Sequence, residues 1–335
     1  MGIRSILSKP LAKWVVNDQK KWALNPDKFQ SKLFQNLIKS GSNTQFGRDH
    51  NFNDIQNHSD FTQQVPIRDY EGLKPYIDKI LKGRKDVLWP GKPAYLAKTS
   101  GTTSGVKYIP ITKDSIPNHI KSARNALLSY VNETGKSNFL DKKLIFLSGS
   151  PTLTYISGIP IGRLSGIVNH LIPAYLKSNQ LPSYLTNCME DWEQKVDQIV
   201  QETENQDLSL ISGIPPWVQM YFDKLITRKG KSIKDIFPNF SLFVYGGVSF
   251  DPYQKKIFET IGKTIDSIET YPASEGFIAY QDSQASKGLL LLSNSGIFFE
   301  FIAASDFFKE SRKRLRLEEV EIGVNYAVIL NTNAG

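Results

Sequence analysis

From Asp191 onward the chain alternates between two apolar periods, and this limits its fold more than any other feature. Trp192, Val196, Ile199 and Val200 recur at helical spacing, then 208–211 reads as a short buried strand. Trp217, Tyr221, Phe222 and Leu225 are helical again, with Pro216 suited to a first turn, and 242–245 is a second strand. Asp251-Pro252 forms an N-cap and N1 pair for a helix bearing Tyr253, Ile257, Phe258 and Ile261, and 265–271 is a third strand. A β-α-β-α-β order with right-handed crossovers gives a parallel sheet covered by helices, so the chain is expected to be α/β. Ligands of such sheets bind outside the carboxyl ends of the strands. Ser212-Gly213, Gly246-Gly247 and Ser274-Glu275 all follow strand ends and are expected along one edge. Gly246 and Gly247 would offer a purine ring a flat surface, and Glu275 a carboxylate for Mg²⁺, which takes few protein oxygens and relies on substrate phosphates. Singly, the glycines could be a tight β-α turn and Glu275 a helix N-terminal acid. Their agreement on one edge favours a site.

A second stretch points to the same ligand. Thr99, Ser100, Gly101, Thr102, Thr103, Ser104 and Gly105 are all glycine, serine or threonine, between Lys98 and Val106-Lys107. Nothing in such a run packs, so it serves neither as core helix nor as core strand. The flanks 94–97 and 108–111 read as strands, which makes the run a hairpin loop with a lysine at its exit. Backbone N–H groups, hydroxyls and one ammonium suit a polyanion such as a triphosphate. It is not a Walker A loop. Only three residues separate Gly101 from Gly105, Tyr108 replaces the metal-binding hydroxyl, and a strand follows where a helix is required.

Elsewhere the first ninety residues read as helical and ancillary. Leu11, Trp14, Val15, Trp22 and Leu24 make an irregular apolar face. Phe29, Leu33, Leu37 and Ile38 precede a stop at Gly41, 46–52 is turn-rich, and 70–81 is a helix with Pro75 in its early turns. Ile116, Ile120, Ala123, Leu127 and Val131 give a helix ending at Gly135 that carries His119 and Arg124, and 143–147 is a buried-type strand. Residues 151–172 fit no pattern.

At 335 residues two subdomains sharing a sheet or cleft are expected. The net charge of +8 suits anionic ligands, but no basic-aromatic stripe of the nucleic-acid-binding kind is present. The dense basic cluster Lys309, Arg312, Lys313, Arg314 and Arg316 is followed by Glu318, Glu319 and Glu321 and reads as a solvated hairpin tip. One cysteine, Cys188, excludes an internal disulfide and fits a reducing cytoplasm, and the four histidines lack metal-ligand spacing. No signal peptide or membrane span is legible, so a cytoplasmic monomer without membrane or nucleic-acid partners is expected.

Thr99-Ser100-Gly101-Thr102-Thr103 followed by Lys107 resembles the signature loop of adenylate-forming enzymes, and Tyr271-x-x-Ser274-Glu275 resembles their second motif. Gly105 comes one residue late and no glycine follows Lys107. Those departures, with residues 65–71, 88–91 and 107–112, resemble the Gretchen Hagen auxin-responsive family of acyl acid amido synthetases in its bacterial-type form, over nearly the whole chain. The resemblance implies a large N-terminal domain of an adenylate-forming enzyme, with parallel or mixed sheets covered by helices: an ancillary helical region at 1–90 and an α/β core at 91–335. It implies that ATP and a carboxylic acid give an acyl-adenylate, and that an amine, usually an amino acid, then takes the acyl group. Ser100, Thr102 and Thr103 would hold phosphates beside Thr99, with Gly101 and Gly105 permitting close approach. Lys107 would add catalytic charge, Glu275 would bind Mg²⁺, and Tyr271 and Ser274 would border the AMP. His119, Arg124 and Trp217 are weaker acyl-contact candidates. A coenzyme A ligase and a non-catalytic nucleotide-binding paralogue remain alternatives. The family's ribose-binding third motif and its C-terminal lid are not found before Gly335. The chain is therefore expected to be a truncated large domain with weakened binding and without full turnover.

Overall fold

Along the strand Leu242–Gly246, Leu242 and Val244 enter one apolar core while Phe243 and Tyr245 enter another. The same alternation holds for Leu144 against Ile145 and for Leu210 against Ile211. A strand buried on both faces needs helices on both, and this computed structural model, which describes residues 2–100, 105–172 and 174–334, supplies them. Helices Trp192–Thr203, Pro215–Lys229 and Asp251–Ile261 cover one face. Helices Ile3–Ala23 and Ile116–Thr134 cover the other. The fold is mixed α/β, as the alternation predicts.

The seven-stranded sheet runs Leu290–Leu291, Gly276–Tyr280, Asp266–Ala273, Leu242–Gly246, Leu208–Ser212, Lys143–Phe146, Gln180–Leu181. From Asp266–Ala273 to the Gln180–Leu181 edge every pairing is parallel, and the two strands at the other end are antiparallel. A second, four-stranded sheet holds the hairpin Tyr95–Ser100 and Val106–Ile111. Residues 151–172, illegible in sequence, complete it. Ile159–Gly162 pairs parallel with the first hairpin strand, Thr154–Ile156 pairs with Ile159–Gly162, and helix Leu164–Leu171 follows. Strands this short carry too little periodicity to be recognised before their partners are known.

Local chemistry overrides several expectations. Residues 46–52 are not merely turns: Gln45–Asp49 is a helix, because the Thr44 side chain accepts the Gly47 N–H at 3.0 Å. Phe250, not Asp251, is the N-cap of the helix Asp251–Ile261. In the first helix Val15 and Trp22 are buried, but Leu11 and Trp14 are exposed, as is Leu24 at its C-cap, so the irregular apolar face is in fact two faces.

The basic cluster at 309–316 is also only partly solvated. It lies in the connection of a two-stranded sheet, Ile297–Ala303 with Tyr326–Thr332, and Arg314 turns inward. Arg314 donates to both carboxylate oxygens of the fully buried Glu300, from Nε at 2.9 Å and from a terminal nitrogen at 2.6 Å. His58 Nε2 lies 2.7 Å from Glu300 Oε1, and Asn331 donates at 2.8 Å. Arg314 also donates to the Val65 carbonyl and lies over the Phe61 ring. Burial raises the Glu300 carboxyl pKa, but the bonds from His58 and Arg314 outweigh it and hold it below the usual carboxylate value. Glu300→Ala leaves Arg314 buried and unpaired, and urea unfolding is expected to show a loss of about 3–5 kcal/mol. Because the folded value is depressed, this stabilisation is complete above the unfolded pKa of about 4.3 and is lost as pH falls through the folded value. Glu300→Gln should accordingly unfold with a weaker acid dependence than the parent.

Candidate active site at the carboxyl edge of the sheet

The parallel strands end in register. Phe146 is paired with Ser212, Ser212 with Val244, and Gly246 with Thr270. Just beyond, the Leu147 N–H donates to Ser212 O at 2.8 Å and the Gly213 N–H to Val244 O at 3.1 Å. One edge therefore carries Ser148-Gly149, Ser212-Gly213, Gly246-Gly247 and the turn Ser274-Glu275. A Cβ on Gly246 would stand 2.3 Å from Thr270 O, so the close approach of these strand ends requires glycine. Gly247 has φ +81°, the left-handed region that glycine adopts without strain. Ser274 and Glu275 form the two-residue turn of a β-hairpin whose strands pair Ala273 with Gly276, not a helix N-terminus. Glu275 is exposed there, and so is Tyr271.

The sheet that carries the glycine-rich hairpin is tied to this edge through residues 162–166. Its strand Tyr95–Ser100 runs parallel to Ile159–Gly162, with Ala97 opposite Gly162, and continues three residues, Lys98 to Ser100, beyond that pairing. The Ser165 hydroxyl accepts the Gly149 N–H at 3.1 Å, and a Cβ on Gly149 would meet the Arg163 side chain at 2.9 Å. The second hairpin strand leads, through Thr112, into the helix Ile116–Thr134. There Asn118 accepts the Phe277 N–H at 2.5 Å and donates to Phe277 O at 3.0 Å, beside the Ser274-Glu275 turn. Between the ends of Lys143–Phe146 and Asp266–Ala273 lie three strand spacings, about 14 Å at roughly 4.8 Å each.

Ser100 ends its strand opposite Val106, and Thr99 faces Lys107. Gly101, Thr102 and Thr103 lie outside the described residues. Gly105, at φ +80°, has open space at its Cα. The Lys107 ammonium lies 5.3 Å from the centre of the Tyr70 ring, and the Tyr70 hydroxyl accepts the Tyr108 N–H at 2.9 Å. His119 is buried, and burial pushes its pKa down to about 4, so it is neutral at pH 7 and offers a carboxylate no charge. Arg124 is exposed and bonds its neighbour Asn125. Trp217 packs on Trp192 with ring centres 4.2 Å apart, against the helical side of the core.

One feature of the edge escapes sequence inspection. Lys195 is buried on the helix Trp192–Thr203 and donates to Ser148 O at 3.0 Å and to Asn187 O at 2.7 Å, holding the first of the four strand-end turns. Its signal was a lysine at apolar helical spacing, one residue before Val196 and four before Ile199. A cavity of about 470 Å³ between Asp141, Lys142, Lys143 and Asp207 lies at the opposite edge, where the strands begin. The rule for parallel sheets favours the carboxyl edge as the ligand face.

This fold is shared with solved adenylate-forming enzymes. The chain superposes on 2-hydroxyisobutyryl-CoA ligase in complex with 2-HIB-AMP and CoA with a TM-score of 0.55 at 13% identity, covering 83% of this chain and 56% of the ligase. It superposes on the AtGH3.15 acyl acid amido synthetase in complex with 2,4-DB with a TM-score of 0.77 at 14% identity, covering 97% of this chain and 66% of that one. Residues 16–181 match the GH3 family N-terminal domain and residues 290–335 match the GH3 family central domain. The chain belongs to the GH3 family. It is 25% identical over 194 residues to indole-3-acetic acid-amido synthetase GH3.15 of Arabidopsis thaliana, covering 57% of this chain and 31% of that relative. Over 169 residues it is 25% identical to indole-3-acetic acid-amido synthetase GH3.4 of the same plant, covering 48% and 28%. The segments aligned with these curated relatives thus cover less than a third of each relative's length.

Two measurements check this geometry. Gly246→Ala forces a Cβ into the Thr270 carbonyl and is expected to cost about 1–3 kcal/mol in urea unfolding. Burial lowers the Lys195 pKa to about 8, below its unfolded value, so stability rises as the pH climbs from about 8 to about 10.5. Lys195→Met should flatten that rise.

Proposed function

We propose that this chain carries the ATP- and acid-binding face of an acyl acid amido synthetase. Such an enzyme joins a carboxylic acid to ATP as an acyl-adenylate, releasing pyrophosphate, and passes the acyl group to an amine with release of AMP. The observation that carries this reading is the tie between the glycine-rich hairpin and the carboxyl edge through Ser165 and Gly149. Without it, the loop and the strand-end turns would be unrelated features.

In this reading Thr99 to Gly105 and Lys107 receive the triphosphate at one end of the edge. Gly246 and Gly247 leave room for the adenine, with Tyr271 and Ser274 bordering the nucleotide. The carboxylate substrate attacks the α-phosphorus, and the donors of the hairpin stabilise the charge that gathers there. Glu275 suits Mg²⁺: it is a single exposed carboxylate, and among the described residues no group of three acids, histidines or cysteines could build a complete protein cage. A site finished by substrate phosphates needs only one or two carboxylates. When bound, the ion would neutralise phosphate charge. Of the acyl-contact candidates, Arg124 bonds Asn125 and Trp217 packs on Trp192, while His119 would meet the acid as a neutral side chain. An amine acceptor is favoured over a thiol because the curated relatives are named amido synthetases.

The test is acid-dependent exchange of labelled pyrophosphate into ATP, with MgATP binding followed by calorimetry on the same 335-residue chain. Lys107→Ala and Glu275→Gln should each weaken MgATP binding and lower exchange about 100-fold or more. MgATP binding that neither substitution alters would remove the site assignment.

A further inference from the structure

The first helix, Ile3–Ala23, is packed inside out. Its buried face consists of Ser5, Ser8, Ala12, Val15, Gln19 and Trp22, mostly small or polar. Its outer face carries Ile3, Ile6, Leu7, Leu11 and Trp14, at 75%, 55%, 64%, 42% and 63% exposure. Residues 3, 7, 11 and 14 follow one another along a single side of a helix, so these side chains form a continuous apolar stripe about 17 Å long. Rotation cannot hide it. The Ser5 hydroxyl shares its one proton between Ser137 O at 2.7 Å and Asp141 Oδ2 at 2.5 Å, while Gln19 Oε1 accepts from Ser129 at 3.1 Å and from Tyr280 at 2.7 Å. These buried bonds, from both halves of the helix, fix which side faces out. An apolar stripe held outward by polar contacts beneath it needs a partner of its own.

Charge identifies the partner. Along one flank of the stripe run Lys9, Lys13 and Lys20, all exposed. Arg4, Lys9, Lys13, Lys20 and Lys21 against Asp18 alone place a net +4 on this helix, half of the +8 of the whole chain. The stripe includes Trp14, 63% exposed, a side chain suited to a boundary between apolar and wet surroundings. Leucine, isoleucine and tryptophan on one side with lysines beside them is the composition of a helix that lies in the plane of a bilayer surface. Among the described residues no helix is long and apolar enough to cross a membrane, so contact would be peripheral. We propose that the outer face of Ile3–Ala23 docks this protein on an anionic lipid surface, with the apolar stripe entering the headgroup boundary and the lysines facing acidic lipids. The expectation of no membrane partner rested on the lack of a spanning segment, and a surface helix does not need one.

The experiment is vesicle co-sedimentation of the 335-residue chain with phosphatidylcholine alone and with phosphatidylcholine mixed with phosphatidylglycerol. Binding is expected only to the mixed vesicles, and it should weaken as salt is raised. Leu7→Glu, Trp14→Glu and the pair Lys9→Glu/Lys13→Glu should each reduce it about tenfold or more, with unchanged thermal melting because every altered side chain is exposed. Failure to sediment with mixed vesicles overturns the proposal, as does binding that the substitutions leave intact. A dimer in size-exclusion chromatography with light scattering that Leu7→Glu dissolves, without vesicle binding, would assign the stripe to a second copy and overturn it as well.

Discussion

A parallel sheet sealed by helices on both faces can meet a ligand only at an edge. In this protein the sealing is strict: Leu242 and Val244 serve one core, Phe243 and Tyr245 the other, with the adjoining strands in step. Chemistry is left to the turns where the strands stop. At the carboxyl edge those turns are built from Ser148-Gly149, Ser212-Gly213, Gly246-Gly247 and Ser274-Glu275. They are narrow because the strand ends approach closely, as the space around Gly246 shows. A chain sealed in this way can evolve its ligand preference without disturbing its core.

The edge is not self-sufficient. The four-stranded sheet that carries the hairpin is a separate layer, anchored to the main sheet where Ser165 meets Gly149 and where the following helix holds Phe277 through Asn118. Lys195 braces the same corner from below by drawing in the carbonyls of Ser148 and Asn187. A second brace joins the N-terminal helices to the two-stranded sheet through Glu300, His58 and Arg314. Asn118, Lys195 and Glu300 make their polar contacts in dry places, where a satisfied network defines one arrangement and a broken one is costly. Together they tie three sheets to one another around the candidate ligand face.

Much of this is legible in the amino-acid sequence. The 3.6-residue and continuous apolar runs after Asp191 announced the parallel core, and glycine placement marked the turns at the carboxyl ends of its strands. The hairpin flanks were readable from strand-like residues around a run that cannot pack. The unreadable parts share a cause. Residues 154–162 form strands too short to show a period, and the Gln45–Asp49 helix depends on one side-chain cap. Arg314 looked like one more surface charge until Glu300, fourteen residues earlier, was seen to be its buried partner. Lys195 is held by carbonyls of Ser148 and Asn187 that belong to other elements, so its burial has no local signature beyond its spacing.

The order of elements, the sheet class and the residue types available for phosphate and metal were determined by local sequence, because periodicity and turn chemistry act over a few residues. Which strand end lies beside which loop, which lysine is buried, and which face of the first helix looks outward were decided only by the tertiary structure. Those outcomes depend on contacts beyond the reach of a local pattern, 47 positions for Lys195 with Ser148, 136 for Ser5 with Asp141 and 159 for Asn118 with Phe277.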